Sequence, residues 1–204
     1  IASTVVLLVA LSGALMSDRA RAAALTFAPG DLFVSLESGP VQWRLPDGSL
    51  NRILLGTQIG TGEGMAFDAA GTLYVTRWCL SLFCSPSTTV ETFSTLGLPA
   101  GSFGSGYNCS PHAMVFDSRG TAYVGQAGCT GAILKFVNGQ EPVAFNIAWD
   151  NQGSFWIDLA ADECTMFYTS VGPNVKRFDV CAGVQLPKFN AAPLPGGLTH
   201  ELGV

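Results

Sequence analysis

The sequence predicts an all-β protein built from repeated four-stranded units, and three observations support this fold class. The composition is 48% hydrophobic and only 12% charged, with 24 glycines, which is typical of short strands joined by tight turns. The segment GMAFDAAGTLYV at residues 64–75 returns as HAMVFDSRGTAYV at residues 112–124. Each copy is followed in the sequence by a segment that alternates apolar and polar residues, as a half-buried strand does.

The returning segment is a β-hairpin made of an inner strand, called strand a, a glycine turn and a strand b. The interval between successive strands b is 41, 49 and 44 residues, within the range of about 40 to 50 residues that is typical of propeller blades. The predicted strands b begin at Asp31, Thr72, Thr121 and Thr165. The predicted inner strands include residues 64–68, 113–117 and 156–160.

Two further strands, c and d, complete each unit and are separated by a turn that contains glycine. Four antiparallel strands that repeat in this way form the blade of a β-propeller, in which neighbouring blades bury the apolar faces that one blade cannot bury alone. The predicted strands c begin at Val41, Val90, Ile133 and Val175. The predicted strands d lie within residues 50–55, 100–103, 141–148 and 184–189.

One passage allows two different phases of the repeat. Residues 148–157 also resemble a hairpin, but they would start strand b at Ser154, too early for the period. The segment IDLAADECTMFYTS at residues 157–170 starts strand b at Thr165 and keeps the period. The second phase is therefore the prediction.

The ends of the repeat predict an incomplete ring. The first unit lacks a strand a, and residues 198–204 fall where a fifth strand a would begin. We therefore expect about four blades, as a fragment of a larger propeller.

Side chains at fixed hairpin positions are expected to be structural first. Asp68 and Asp117 precede tight turns, where an aspartate accepts hydrogen bonds from backbone amides. The repeated aromatic residues are predicted to pack between blades: Phe67, Tyr74, Phe116 and Tyr123.

Residues 1–24 are predicted to be a signal peptide whose charged start is missing. Val5–Met16 is an apolar run shorter than the about 20 residues that cross a bilayer, and small residues of the A-x-A type follow it. Charged residues between this run and the cleavage site leave a retained anchor as the alternative. The expected mature domain is residues 25–204, secreted or periplasmic, with no membrane span after cleavage.

The charge balance restricts the class of partner. The net charge is −5 and the sequence contains no basic cluster, which argues against nucleic acid and anionic membrane surfaces. A small molecule or a protein is the expected ligand.

The six cysteines lack C-x-x-C spacing, and in an exported chain they are expected to form disulfides rather than a zinc site. In an antiparallel blade the a–b and c–d turns lie at one end. Cys164 lies in the a–b turn and Cys181 in the c–d turn of one blade, so this pair is predicted.

The other four cysteines lie at the opposite end of the blades, in the d–a and b–c loops. Cys109 in a d–a loop and Cys129 in the next b–c loop are predicted to pair. Cys79 and Cys84 share one b–c insertion and are predicted to pair with each other, although either of them could instead reach Cys109.

The pattern G-M-A-F-D-x-x-G-T-L-Y-V followed by V-x-x-F-x-x-x-G, over about residues 30–200, resembles bacterial NHL-repeat propellers. It is also similar to the streptogramin B lyase family and to the family of gluconolactonase and senescence marker protein. The resemblance implies a ring of six or seven blades whose ligand site lies where the chain enters the inner strands. These families share blades and differ in chemistry, so the resemblance is specific for fold.

The entries to the inner strands supply the candidate site residues Glu63, His112 and Trp156, and Phe155 stands beside Trp156 in the same entry, GSFWID. In the lyase family a histidine acts as acid or base beside magnesium, and in the gluconolactonase family acidic and amide groups hold a divalent metal. The resemblance thus implies His112 as a catalytic group and Glu63 as a ligand of Mg²⁺ or Ca²⁺. Neither full ligand set is matched, and the alternatives are a rim histidine and a solvated loop carboxylate.

Asp158 is the fourth candidate ligand-binding residue. Aligned with Ala66 and Val115, it falls inside an inner strand, where an unpaired charge is costly. It either lines a wet channel or accepts hydrogen bonds from a neighbouring group.

Two functions follow from these residues. The first is an exported propeller that binds a small ligand or a protein partner at its channel face, because no complete catalytic set is present in the sequence. The alternative is a metal-dependent lyase or lactonase of the families named above.

Overall fold

The computed structural model describes residues 25–36, 39–56, 60–78, 89–107, 110–200 and 202–204. Over these ranges the chain forms fifteen strands, β1 to β15, arranged in four antiparallel sheets. In every sheet, strands that are consecutive in sequence are also neighbours in space. None of the described residues forms a helix that could cross a membrane.

Each sheet is one blade. Blade 1 contains β1 (Leu32–Ser35), β2 (Val41–Arg44) and β3 (Leu50–Leu54). Blade 2 contains β4 (Thr61–Phe67), β5 (Leu73–Trp78), β6 (Thr89–Phe93) and β7 (Pro99–Phe103). Blade 3 contains β8 (Ser110–Phe116), β9 (Ala122–Ala127), β10 (Ile133–Phe136) and β11 (Val143–Phe145). Blade 4 contains β12 (Trp156–Leu159), β13 (Thr165–Thr169), β14 (Lys176–Asp179) and β15 (Val184–Leu186).

The predicted fold class and the phase of the repeat are confirmed. Every strand b begins within one residue of its predicted start, and blade 1 has no strand a among the described residues. Trp156–Leu159 is the inner strand of blade 4 and pairs with Thr165–Thr169, so the competing phase with strand b at Ser154 is wrong. The inner strands β4 and β8 contain the predicted residues up to Phe67 and Phe116, and they begin at Thr61 and Ser110.

The core lies between the blades, in three apolar clusters that each join two consecutive sheets. Side chains alternate between the two faces of a strand: Ala113 packs towards blade 4, and the next residue, Met114, towards blade 2. The fully buried aromatic residues belong to these clusters: Trp43, Phe93, Tyr123, Phe136 and Tyr168. A single blade is therefore stable only with its neighbours in place.

The predictions for the repeated aromatic residues hold at three positions and fail at one. Tyr123 is fully buried, and Tyr74 and Phe116 pack against the cluster between blades 2 and 3. Phe67 is 42% exposed, although its ring lies edge-on to that of Phe33 at 5.1 Å. Phe67 faces blade 1, whose described part has three strands and no inner strand to cover the ring.

The predicted turn aspartates are confirmed. Asp68 Oδ1 accepts the Thr72 amide at 2.8 Å, and Asp117 Oδ1 accepts the Thr121 amide at the same distance. Asp162 makes the equivalent contacts in blade 4. These hydrogen bonds close the a–b turns, so the carboxylates are structural groups.

The predicted disulfide between Cys164 and Cys181 is present, with Cα atoms 5.2 Å apart. Cys129 is also disulfide-bonded. Its predicted partner Cys109, the predicted pair of Cys79 with Cys84, and the predicted signal peptide all lie outside the described residues.

Candidate functional site

Two β-bulges place Glu63 and His112 within their strands. The pairing of β4 with β5 shifts register between Gly62 and Met65, and that of β8 with β9 shifts between Pro111 and Ala113. A bulge re-aims the side chain of the extra residue and is common beside functional sites. The expectation that both residues lie in loops before the strands is therefore wrong.

The bulges bring both side chains into one aromatic cluster at the end of the blades where the d–a and b–c connections lie, which we call the channel face. Glu63 Oε2 lies 3.7 Å from His112 Nε2, and the side chains are 21% and 5% exposed. The centroid of the His112 ring lies 3.9 Å from that of Phe155. The rings of Trp78 and Trp156 each lie 6.2 Å from the His112 ring. A carboxylate and an imidazole thus sit among three half-buried aromatic rings.

Three of the four predicted site residues come together in this cluster, while their roles in binding and catalysis stay predictions. Glu63, His112 and Trp156 are neighbours, but the close ring contact of His112 is made by Phe155. Asp158 lies apart.

Hydrogen bonds from backbone amides stabilise the carboxylate of Asp158 inside an inner strand. Its Oδ1 accepts the Leu159 amide at 2.9 Å, and its Oδ2 accepts the Val204 amide at 2.8 Å. The second alternative for Asp158, hydrogen bonds from a neighbouring segment, is confirmed. Because both oxygens receive backbone amides, its contribution is first to hold the C-terminal segment.

The sequence argument did not single out His200, which extends the cluster. Its ring lies 5.4 Å from that of Phe155 at an interplanar angle of 89°. The residues Glu63, His112, Phe155 and His200 are separated by 49, 43 and 45 residues, so the period of the hairpins would have located it. The chain has two histidines, and both lie in this cluster.

A buried ion pair supports the cluster from within blade 2. Arg77 Nη2 lies 2.6 Å from Glu91 Oε2, and the two side chains are 1% and 0% exposed. Arg77 also donates to the carbonyl of Gly39 in the b–c turn of blade 1. The pair therefore ties two blades together at the channel face, next to Gly62 in the bulge of β4.

The described residues do not by themselves complete the divalent-metal site that the resemblance implies. Among them no group of three or more His, Cys, Asp or Glu side chains could hold a metal ion. Glu63 and His112 supply one carboxylate and one imidazole, whereas Mg²⁺ and Ca²⁺ are bound by oxygen ligands, so the pair alone does not make such a site.

A cavity of about 360 Å³ lies elsewhere, beside the c–d turn of blade 1. Its two carboxylates are already engaged within the protein: Asp31 accepts the indole N–H of Trp43, and Asp47 accepts the hydroxyl and amide of Ser49. The remaining lining is mainly apolar: Leu25, Ala28, Pro29, Leu45 and Pro46. The cavity therefore offers little chemistry, and the channel face is the better candidate site.

Four consecutive antiparallel sheets, packed face to face through their apolar clusters, define the chain as a β-propeller. Comparison with known structures supports this class: the fold is similar to that of virginiamycin B lyase from Staphylococcus aureus, in a catalytically inactive variant with quinupristin. The TM-score is 0.65 at 13% sequence identity, a likeness that shows the fold.

The similarity covers 87% of this chain and 57% of that lyase chain, so this chain spans little more than half of its length. No family model matches the sequence, and no curated protein matches it either.

Proposed function

We propose that this chain is an exported β-propeller that binds a small ligand or a protein partner at its channel face. One observation carries the proposal: successive blades each contribute one side chain to a continuous cluster, namely Glu63, His112 and Phe155, with His200 following. Ligand sites typically combine aromatic surface with a few polar groups that orient the ligand. This cluster has that composition, with Trp78 and Trp156 beside it.

Export is part of the proposal. The disulfide between Cys164 and Cys181 supports it, because structural disulfides persist in oxidising compartments. The apolar segment Val5–Met16 supports it from the sequence. Expression with residues 1–24 intact, followed by N-terminal sequencing of protein from the culture medium or periplasm, tests this part, and uncleaved cytoplasmic protein would contradict it.

The two histidines make ligand binding directly observable. We expect a fragment library screened by ¹H–¹³C NMR to contain compounds that shift the imidazole signals of both His112 and His200. Phe155→Ala should weaken the binding of such compounds by up to about tenfold, since one aromatic contact contributes about 0.5 to 1.5 kcal/mol. Lys188→Ala, in the exposed segment after β15, is the control and should bind as the wild type does. Compounds that bind Phe155→Ala and the wild type equally would contradict the site.

A second candidate is the metal-dependent lyase or lactonase, which the contact between Glu63 and His112 favours. An imidazole beside a carboxylate is a suitable acid–base pair. Titration of the protein with Mg²⁺ and with Ca²⁺ by calorimetry, wild type against Glu63→Gln and His112→Ala, tests this function. Saturable binding that either substitution abolishes would support it. Absence of binding in the wild type would leave the non-catalytic function alone.

A further inference from the structure

Hydroxyl side chains at one position of strand b link neighbouring blades at the channel face. Each donates to a carbonyl where the following inner segment begins, and each lies four residues after the predicted start of strand b. Ser35 Oγ donates to the carbonyl of Gly62 at 2.6 Å. Thr76 Oγ1 donates to that of His112 at 2.8 Å. Thr169 Oγ1 donates to that of His200.

We propose that these hydroxyls are positioning groups for the ligand site, and that His200 is the counterpart of His112 in the segment that follows blade 4, where the inner strand after β12 belongs. Thr76 sets the backbone of His112, and Thr169 sets the backbone of His200. The site then contains two equivalently held imidazoles on either side of Phe155. The role of the imidazoles in ligand recognition rests on the proposed function, whereas their positioning by the two threonines does not.

Thr76 links both predicted polar residues of the site. The side chain is completely buried. Its Oγ1 accepts the amide of Gly64 at 2.7 Å and donates to the His112 carbonyl at 2.8 Å. Gly64 follows Glu63 in the bulge of β4, so one hydroxyl holds the backbone beside the carboxylate and the backbone of the imidazole. The contact between Glu63 and His112 depends on that shared hydroxyl.

Close backbone approach makes this link possible. A Cβ atom at position 64 would lie 2.6 Å from the His112 carbonyl oxygen and 2.8 Å from Ala113 Cα, a separation that real side chains do not reach. Gly64 therefore lets β4 and β8 come close enough for the hydroxyl of Thr76 to reach across.

The boundary between blades 3 and 4 lacks this hydroxyl on strand b. Gly125 occupies the position of Thr76 there and has no hydroxyl. Ser154 of the following blade reaches back instead: its Oγ accepts the Gln126 amide at 2.8 Å and donates to the Ala132 carbonyl at 3.1 Å. The inner-strand residue at this boundary is Phe155. Threonine thus occurs at the two boundaries where the inner segment presents a histidine.

Hydrogen bonds hold the segment of His200 where a fifth inner strand belongs. Besides Thr169, the amide of Thr199 donates to the Gly172 carbonyl at 2.9 Å, and the amide of Val204 donates to Asp158. Thr199, His200 and Val204 thus lie along the inner edge of blade 4, as β8 lies along blade 2. The predicted start of a fifth strand a within residues 198–204 agrees with this placement.

Histidine NMR tests the proposal without a ligand, because each of the two imidazoles gives its own signal. We expect Thr76→Val to shift the ring signals of His112 and to leave those of His200 unchanged. We expect Thr169→Val to do the reverse. Thr76→Ser and Thr169→Ser keep the hydroxyl and should retain the wild-type signals of both histidines.

The crossed design separates positioning from general loss of structure. A valine variant that shifts the ring signals of both histidines, or of neither, would overturn the proposal. Serine variants that shift these signals as much as the valine variants do would also overturn it. If Thr76→Val does not fold, Thr169→Val decides alone: a shifted His200 beside an unmoved His112 supports the proposal, and an unmoved His200 overturns it. A failed ligand screen together with the crossed pattern would contradict ligand binding only.

Discussion

Removing one partner of the buried ion pair between Arg77 and Glu91 should destabilise the whole propeller. Both side chains are inaccessible to solvent, and Arg77 Nε and Nη2 donate to one carboxylate oxygen of Glu91 at 2.9 and 2.6 Å. Glu91→Gln keeps the shape of the side chain but leaves the guanidinium charge buried without its counterion. The Arg77 side chain is only 1% exposed, so bulk water solvates that charge poorly and the cost appears in the free energy of unfolding.

The expected magnitude follows from burial. Two unit charges about 4 Å apart at an effective dielectric constant near 20 attract by about 4 kcal/mol, and breaking a buried pair costs about 3 to 5 kcal/mol in comparable cases. A domain is stable by only about 5 to 15 kcal/mol, so Glu91→Gln should remove a large part of the total. Arg77→Met should have a similar effect, because it leaves the carboxylate buried.

Urea denaturation followed by intrinsic tryptophan fluorescence measures these losses as changes in the transition midpoint. The double variant Arg77→Met/Glu91→Gln removes both charges and should be more stable than either single variant. Arg119→Ala is the matched control: its partner Asp117 is buried, but the arginine side chain is 67% exposed, so the midpoint should hardly move. A loss for Glu91→Gln no larger than for Arg119→Ala, or strictly additive single losses, would refute the electrostatic argument.

Three further predictions concern other parts of the fold. Gly64→Ala should lower the stability by roughly 1 to 3 kcal/mol, because the added Cβ would lie 2.6 Å from the His112 carbonyl oxygen. An unchanged urea midpoint would mean that β4 and β8 do not approach as described. The variant Cys164→Ser/Cys181→Ser opens a loop with a sequence separation of 17 and should cost about 3 kcal/mol; equal midpoints for the wild type with and without a reducing agent would contradict this. Burial acts to raise the pKa of Asp117, but hydrogen bonds from Thr121 and Arg119 outweigh it and hold the pKa below the usual value of 3.8. The stabilisation by this carboxylate is therefore present above about pH 4 and lost as the pH falls through the lowered pKa. The wild type should then lose stability in acid more steeply than Asp117→Asn does. Parallel profiles of stability against pH for the two proteins would show that the ionised Asp117 contributes nothing.

The strand order and the blade phase were predictable from the sequence because they follow from local patterns. The alternation of apolar and polar residues, the turn glycines and the aspartates at Asp68 and Asp117 each act within one hairpin. The interval between hairpins then indicates how units stack. The same locality made the pair Cys164 and Cys181 predictable, because both lie in turns at one end of a single blade.

The site was predictable only in outline. The period of the repeat predicts that Glu63 and His112 occupy equivalent positions, and the same period contains Phe155 and His200. It does not predict the bulges, because a register shift depends on how two strands pair and leaves no fixed mark in one strand. Phe67 was misjudged for a related reason: its burial depends on what covers the face of β4 that is turned towards blade 1.

By itself, the sequence determined the all-β class, the number of blades in the chain, the order of strands and the turns that join them. The tertiary structure alone decided which side chains meet across blades: the approach of Gly64 to β8, the hydroxyl of Thr76 on the His112 carbonyl, and the amide of Val204 on Asp158. The division has a physical cause. Turns and strands are set by interactions between residues close in sequence, whereas contacts between blades join residues about one repeat apart, at distances set by the twist and packing of whole sheets.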